Sequence, residues 1–218
     1  MVFARVWVLK AYIEESAMNS PAAINRAVHT DVKAELIRKS IHFLIALSPG
    51  MAALHYTATM ALLAAGIAGY ASMELMRLFG VKVPLISSIT SMASRPRELN
   101  RFVLGPVTLG LGAVCALLFF PLPAASIAIY ALAFGDGLAS LAGKLYGRVR
   151  PAFLFGKSIE GSTACFIATF IFAWLVSSNP VIAFTAALTA TTIEALPLGD
   201  YDNIALPLAV GMTVILVM

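Results

Sequence analysis

The feature that most limits how this chain can fold is the recurrence of apolar runs almost free of charge, at 40–55, 57–79, 103–120, 123–143, 162–178, 180–198 and 203–218. A bilayer core takes about 17–25 such residues per helix. With 60% hydrophobic residues, 12% charged residues and a mean hydropathy of +0.90, the chain carries about half the charge of an ordinary soluble domain. The sequence therefore predicts an all-α fold, a polytopic membrane helix bundle of about seven transmembrane helices. The first and last runs are short for a full crossing, which calls for tilt, a bend or partial insertion. Pro49 and Gly50 would bend the first, and Pro207 the last.

The connections alternate in character. Those at 55–57, 120–123 and 177–180 are tiny and carry no Lys, Arg, Asp or Glu, whereas the N-terminal segment, 80–102, 144–161 and 199–202 hold the charge. All 15 Lys and Arg residues map to this second face or its helix ends. The positive-inside rule makes that face cytoplasmic, with the N-terminus inside and the C-terminus outside. The 11 acids cluster on the same side. Acids contribute little to topology, so their clustering suggests a charged site at the cytoplasmic surface. Residues 1–34 divide off as an N-terminal interfacial segment, with 1–17 read as an interfacial helix or a leader, and 35–218 form the membrane-embedded catalytic domain.

Some partners drop out on composition. A net charge of +4 without a basic, aromatic-studded stripe argues against nucleic acid, and the basic residues suit anionic membrane lipids instead. Cys115 and Cys165 lie in separate apolar runs with no CxxC spacing, so they read as inert buried thiols.

Four stretches can carry chemistry. In FGDGLASLAGKLYGR (134–148), Asp136 falls near the cytoplasmic end of a span, where an ionised carboxylate is costly unless paired or metal-bound. Gly135 and Gly137 allow close approach of a ligand or a backbone, and Ser140 and Lys144 continue the Asp136 face. Gly143 and Gly147 also suit a small-residue helix contact. FGKSIEGS (155–162) ends like a Walker A loop, but Pro151 stands where that loop needs glycine and no strand precedes it. It still offers Lys157, Ser158, Glu160, Gly161 and Ser162 at a helix start, where backbone N–H groups favour phosphate. The bland alternative is a plain loop with Ser162 as the N-cap. IEALPLGDYDN (193–203) puts Glu194 inside an apolar span, with Asp200 and Asp202 in the turn that follows, a pattern suited to Mg²⁺ shared with substrate phosphates. In ELIRKSIH (35–42), Arg38 shares a face with His42, and Glu35 with Lys39. Interfacial anchoring accounts for Arg38 and Lys39 alone. Glu74 with Arg77, and Glu98 with Arg97 and Arg101, read as structural ties.

Together these pieces gather cations, hydroxyls, helix-start amides and carboxylates at one membrane face. Transfer between a nucleoside triphosphate and a lipid needs such a set. GDGLASLAGKLYGR, GKSIEGS and an acid-containing span ending DNIALP, with RKSIH, Glu74–Arg77 and Gly105–Pro106 upstream, resemble the polyprenol kinase family. That family includes dolichol kinase, phytol kinase and CTP-dependent diacylglycerol kinase, and is distantly similar to the phosphatidate cytidylyltransferases. The resemblance covers roughly 35–210. It implies transfer of the CTP γ-phosphate, with Mg²⁺, to a lipid alcohol of polyprenol or dolichol type, in a minimal prokaryotic core of the plasma membrane, with a homodimer as one possible assembly.

Carried onto this chain, the resemblance and the residue readings give Asp136, Lys144 and His42 as catalytic. Ser140, Lys144, Lys157, Ser158, Glu160, Gly161 and Asn203 would hold nucleotide, and Asp136, Glu160, Glu194 and Asp202 the metal. Asp136 either binds metal or orients the acceptor hydroxyl. Two other activities compete: CDP-lipid synthesis of the cytidylyltransferase kind, and a small ion-coupled transporter using Asp136 and Glu194.

Overall fold

A computed structural model describes residues 21–81 and 101–218. Among them every regular element is helical: α1 Pro21–Ile45, α2 Ser48–Leu78, α3 Gly105–Phe119, α4 Leu122–Tyr130, α5 Gly137–Leu145, α6 Ile159–Ser177, α7 Pro180–Ala195 and α8 Asp202–Val217. Residues 1–20, 82–100 and the expected contacts of Arg97 and Glu98 lie outside the described residues. Four segments are long and apolar enough to cross a membrane: Ser48–Leu78, Leu122–Leu145, Ile159–Ser177 and Gly199–Val217. Gly105–Phe119 and Pro180–Ala195 are shorter apolar helices.

The sequence punctuates these helices legibly. Proline stands in the first turn of α2, α3, α4 and α7, where its missing N–H costs nothing. Ser178 closes α6 in the left-handed conformation, and the Asn179 side chain then caps α7 by accepting the N–H of Val181 at 2.9 Å. Within α2 the helix breaks at His55 (φ −145°, ψ 86°), where the 55–57 connection between the first two runs was expected. The bend expected at Pro49 takes the form of a turn at 46–47, between α1 and α2. The domain boundary expected after residue 34 falls inside α1, which runs through it unbroken.

Alanine dominates the core: Ala113, Ala116, Ala124, Ala125, Ala128, Ala183, Ala186 and Ala190 are all buried. Lipid tails are as apolar as leucine, so helices in a bilayer associate through close packing of small side chains. The most buried candidate span is Leu122–Leu145, around which α6, α7 and α8 pack. Pro207 sits inside α8 and cannot donate to the Asn203 carbonyl one turn earlier. Gly112 of α3 packs directly against that carbonyl, leaving no room for a Cβ. The Asn203 amide donates to Thr108 Oγ1 at 2.9 Å, locking the same two helices.

Midway through the central span, Ala131–Asp136 winds as a π-helix between α4 and α5. Such turns mark insertions in α-helices and often occur at functional sites. Asp136 is its last residue.

Candidate active site

The glycines around Asp136 are packing devices. A Cβ on Gly135 would lie 2.5 Å from Thr169 Oγ1, and one on Gly137 2.8 Å from Phe43. A Cβ on Gly161 would meet the Ala139 carbonyl at 2.8 Å, and one on Gly143 would meet Ser158 Oγ at 3.1 Å. These absences let α5 and α6 approach closely, and they bring the 155–161 segment against the Asp136 helix.

The approach creates a cavity of about 1020 Å³, bordered by α1, α2, α3, α5, the start of α6 and the α7–α8 turn. Its polar end is built from ion pairs, three of which join two elements. Asp136 Oδ2 accepts from Lys39 Nζ, and His42 Nδ1 lies 3.4 Å from the same oxygen. Lys144 Nζ lies 2.9 Å from Glu35 Oε2, which also accepts from Arg38. Lys157 Nζ lies 2.8 Å from Glu194 Oε1 and donates to the Glu194 carbonyl oxygen as well. Burial disfavours the charged form of Glu35, but Arg38, Lys144 and Lys39 outweigh it and hold its carboxyl below the usual range.

Lys39 corrects the anchoring reading. Glu35, Lys39 and His42 recur at i, i+4 and i+7 on α1, and all three are buried. A polar stripe with helical spacing at the mouth of a membrane span is the signal that identifies this face. Glu35, Arg38, Lys39, Arg150 and Asp200 therefore join the cavity wall beyond the residues expected there.

Of the expected residues, Asp136, Lys144, His42, Ser140, Lys157, Ser158, Gly161, Glu194, Asp202 and Asn203 all line the cavity. Ser140 Oγ donates to the Asp136 carbonyl at 2.7 Å. Ser158, not Ser162, is the N-cap of α6; its hydroxyl accepts the Gly161 N–H at 3.1 Å. Phe155 (φ 49°) and Gly156 (φ 89°) reverse the chain in the left-handed region, which a glycine tolerates without strain, and Lys157 follows directly.

Glu160 is the exception. It does not line the cavity; its Oε1 accepts the backbone N–H groups of Arg148 at 3.0 Å and Val149 at 3.3 Å. Through that oxygen its carboxylate shapes the 146–150 connection, while its Oε2 is buried without a hydrogen-bond partner. The four carboxylates of the expected metal set do not form one ready-made cluster. Among the described residues no three His, Cys, Asp or Glu side chains converge, and Asp136 and Glu194 are each held by a lysine.

What remains suits Mg²⁺ in its common mode, with one or two carboxylates and substrate phosphates completing the shell. Glu194 Oε2 is buried without a hydrogen-bond partner, and Glu194, Asp200 and Asp202 share the cavity wall.

No family profile and no solved structure matches the chain. Curated sequences do. A probable chloroplastic phytol kinase of Triticum aestivum is 32% identical over 143 residues, covering 57% of this chain and 46% of its own length. The phytol kinase of Synechocystis sp. is 34% identical over 93 residues, 38% of this chain and 40% of its own. CTP-dependent diacylglycerol kinase 1 of Eremothecium gossypii is 31% identical over 83 residues, 38% of this chain and 26% of its own. The chain thus spans less than half the length of these relatives. All three are lipid kinases by name, and the chain is similar to them at about 30% identity over at most 57% of its length.

Proposed function

We propose that the chain is a CTP-dependent lipid-alcohol kinase that moves the γ-phosphate of CTP to an isoprenoid alcohol of the polyprenol, dolichol or phytol type. Its site would face the cytoplasm, where the sequence concentrates its positive charge. One observation carries the reading: a single cavity has lysine–carboxylate pairs at one end and aliphatic side chains from α1, α2 and α3 at the other. A triphosphate needs the first and a lipid tail needs the second. The kinase names of the curated relatives agree with it.

Three lysines on three elements, Lys39, Lys144 and Lys157, each hold a carboxylate. An arriving triphosphate competes for these cations and draws them onto its phosphates. The released Asp136 carboxylate then meets the acceptor hydroxyl, and the released Glu194 carboxylate would be available to hold Mg²⁺. Asp136, beside His42 at the boundary of the polar and apolar ends, orients the acceptor hydroxyl and accepts its proton. The lipid oxygen bonds to Pγ, the bond from Pγ to the bridging oxygen breaks, and CDP leaves. Glu194 and Asp202 are the residues that would hold Mg²⁺. When bound, the ion neutralises phosphate charge and supports the leaving group.

The test is an assay of purified protein with CTP labelled in the γ-phosphate, against polyprenol, dolichol, phytol and diacylglycerol, with ATP as a competing donor. Label in the lipid product upholds the kinase. Label in pyrophosphate, with a CDP-lipid formed from a lipid phosphate, replaces it with cytidylyl transfer.

A further inference from the structure

The α1 face that lines the cavity changes chemistry along its length. Glu35, Lys39 and His42 are followed one turn later by Ile45. From that point the wall is aliphatic, continued by Leu62 and Ile67 of α2 and Leu109 of α3. Leu44 and Leu62 line the cavity yet are 64% and 58% exposed, so its apolar end reaches the outer surface of the helices. Two glycines shape this end. A Cβ on Gly66 would meet nothing within 4 Å, whereas one on Gly110 would lie 2.6 Å from Ile67 Cγ1. The α2 wall is therefore open at Gly66 and closed to its limit at the next residue, where Ile67 meets Gly110 of α3.

We infer that this apolar end is a lateral slot that takes one hydrocarbon chain of the acceptor sideways from the bilayer, and that Gly66 and Ile67 set which chains fit. This rests on the kinase reading above and extends it to acceptor selection. The hydroxyl end of the lipid halts at His42 and Asp136, because beyond them the wall is charged. The tail lies along Ile45, Leu62 and Leu109 and leaves between Leu44 and Leu62. The Ile67–Gly110 contact leaves the slot suited to a single chain and excludes a second chain beside it.

Filling and widening the slot test the inference separately from the chemistry. Gly66→Leu adds bulk where there is open space, so the helix is not forced apart. It should raise the KM for phytol about tenfold or more, the scale of a pocket mismatch, while the Kd for CTP and the detergent Tm stay at wild-type values. Ile67→Ala should raise kcat/KM for diacylglycerol relative to phytol. Wild-type acceptor profiles in both variants, with an active wild type, would overturn the slot and leave the kinase standing. A wild type that phosphorylates no lipid would overturn the kinase reading, and the slot is then read by photolabelling. A single-chain alcohol bearing a diazirine in its tail should crosslink to 62–67 in wild type and lose that crosslink in Gly66→Leu. Absence of the wild-type crosslink overturns the slot on its own.

Discussion

Lys157 Nζ lies 2.8 Å from Glu194 Oε1 and also donates to the Glu194 backbone carbonyl, so one ammonium joins the start of α6 to the last turn of α7. A cation at a helix C-terminus is favoured by the helix dipole as well as by the carboxylate. A structural clamp and a phosphate ligand therefore predict different behaviour when Lys157 is removed. Lys157→Ala should weaken CTP binding about tenfold to a hundredfold, the worth of a charge-assisted hydrogen bond, and should lower Tm by leaving Glu194 buried without its partner. Adding Glu194→Gln should recover Tm but not CTP affinity, as read by titration and thermal unfolding. Recovery of both in the double variant would make Lys157 a clamp only.

Asp136→Asn should lower turnover about 10²-fold or more, as for loss of a preorganised charged group. The ion pair with Lys39 adds a second consequence that the sequence does not announce. From the sequence, an uncompensated carboxylate near the membrane implies a variant of equal or greater stability. With Lys39 buried against it, the substitution strands a cation, and such losses typically cost about 3–5 kcal/mol. Tm should therefore fall, and pairing Asp136→Asn with Lys39→Met should restore much of it without restoring activity. An active Asp136→Asn protein would remove Asp136 from the chemistry.

Glu35 gives a pH dependence of known sign. Its carboxyl is held below its ordinary value of 4.5 in the folded chain, against burial, by Arg38, Lys144 and Lys39. A group depressed on folding stabilises the fold fully above its unfolded pKa and loses that contribution as pH falls through the lower folded value. Thermal stability should therefore decline from about pH 5 downward, and Glu35→Gln should make the decline shallower. An unchanged slope in Glu35→Gln would show that its ion pairs do not contribute to the acid limb.

Arg150 precedes α6 and Ser178 follows it, so the two residues lie at opposite ends of a helix of 19 residues. That length is about 28 Å, close to the bilayer core. Single cysteines at these positions, in a background with Cys115 and Cys165 replaced, should react with an impermeant reagent from opposite sides: Ser178 outside, Arg150 inside. Labelling of both from one side would break the predicted topology.

Most of the apolar helices are plain in the sequence, because charge is too costly in lipid to be scattered through them, but the expected run at 40–55 divides between α1 and α2. Even the break at His55 follows from the apolar pattern. The candidate residues Asp136 and Glu194 are legible for the same reason, since a polar group inside an apolar run needs an explanation, whereas Lys157 stands out through the GKSIEGS segment of the charged 144–161 connection. Lys39 is hidden because a cation near a helix end has an ordinary interfacial reading, and only its contact with Asp136, 97 positions away in the chain, distinguishes the two. Glu160 misleads in the opposite way. Whether a carboxylate at a helix start faces a cavity or accepts neighbouring N–H groups depends on the loop path, here fixed by the left-handed pair Phe155–Gly156. The glycines of GDGLAS suit both ligand approach and helix packing; their neighbours, Thr169 and Phe43, decide for packing.

The π-helical turn at Ala131–Asp136 has a consequence for how such a span can change over time. A one-residue insertion shifts everything beyond it by about 100° around the helix axis relative to everything before it. The upstream half of Leu122–Leu145 can thus keep its phase with α3 and α8, while the downstream half keeps a separate phase with α1 and α6. Drift in one half need not be transmitted to the other, because the wide turn absorbs the mismatch. Deleting one residue from 131–133 would merge the two phases, and either the alanine-lined bundle or the Asp136–Lys39 pairing would have to give way.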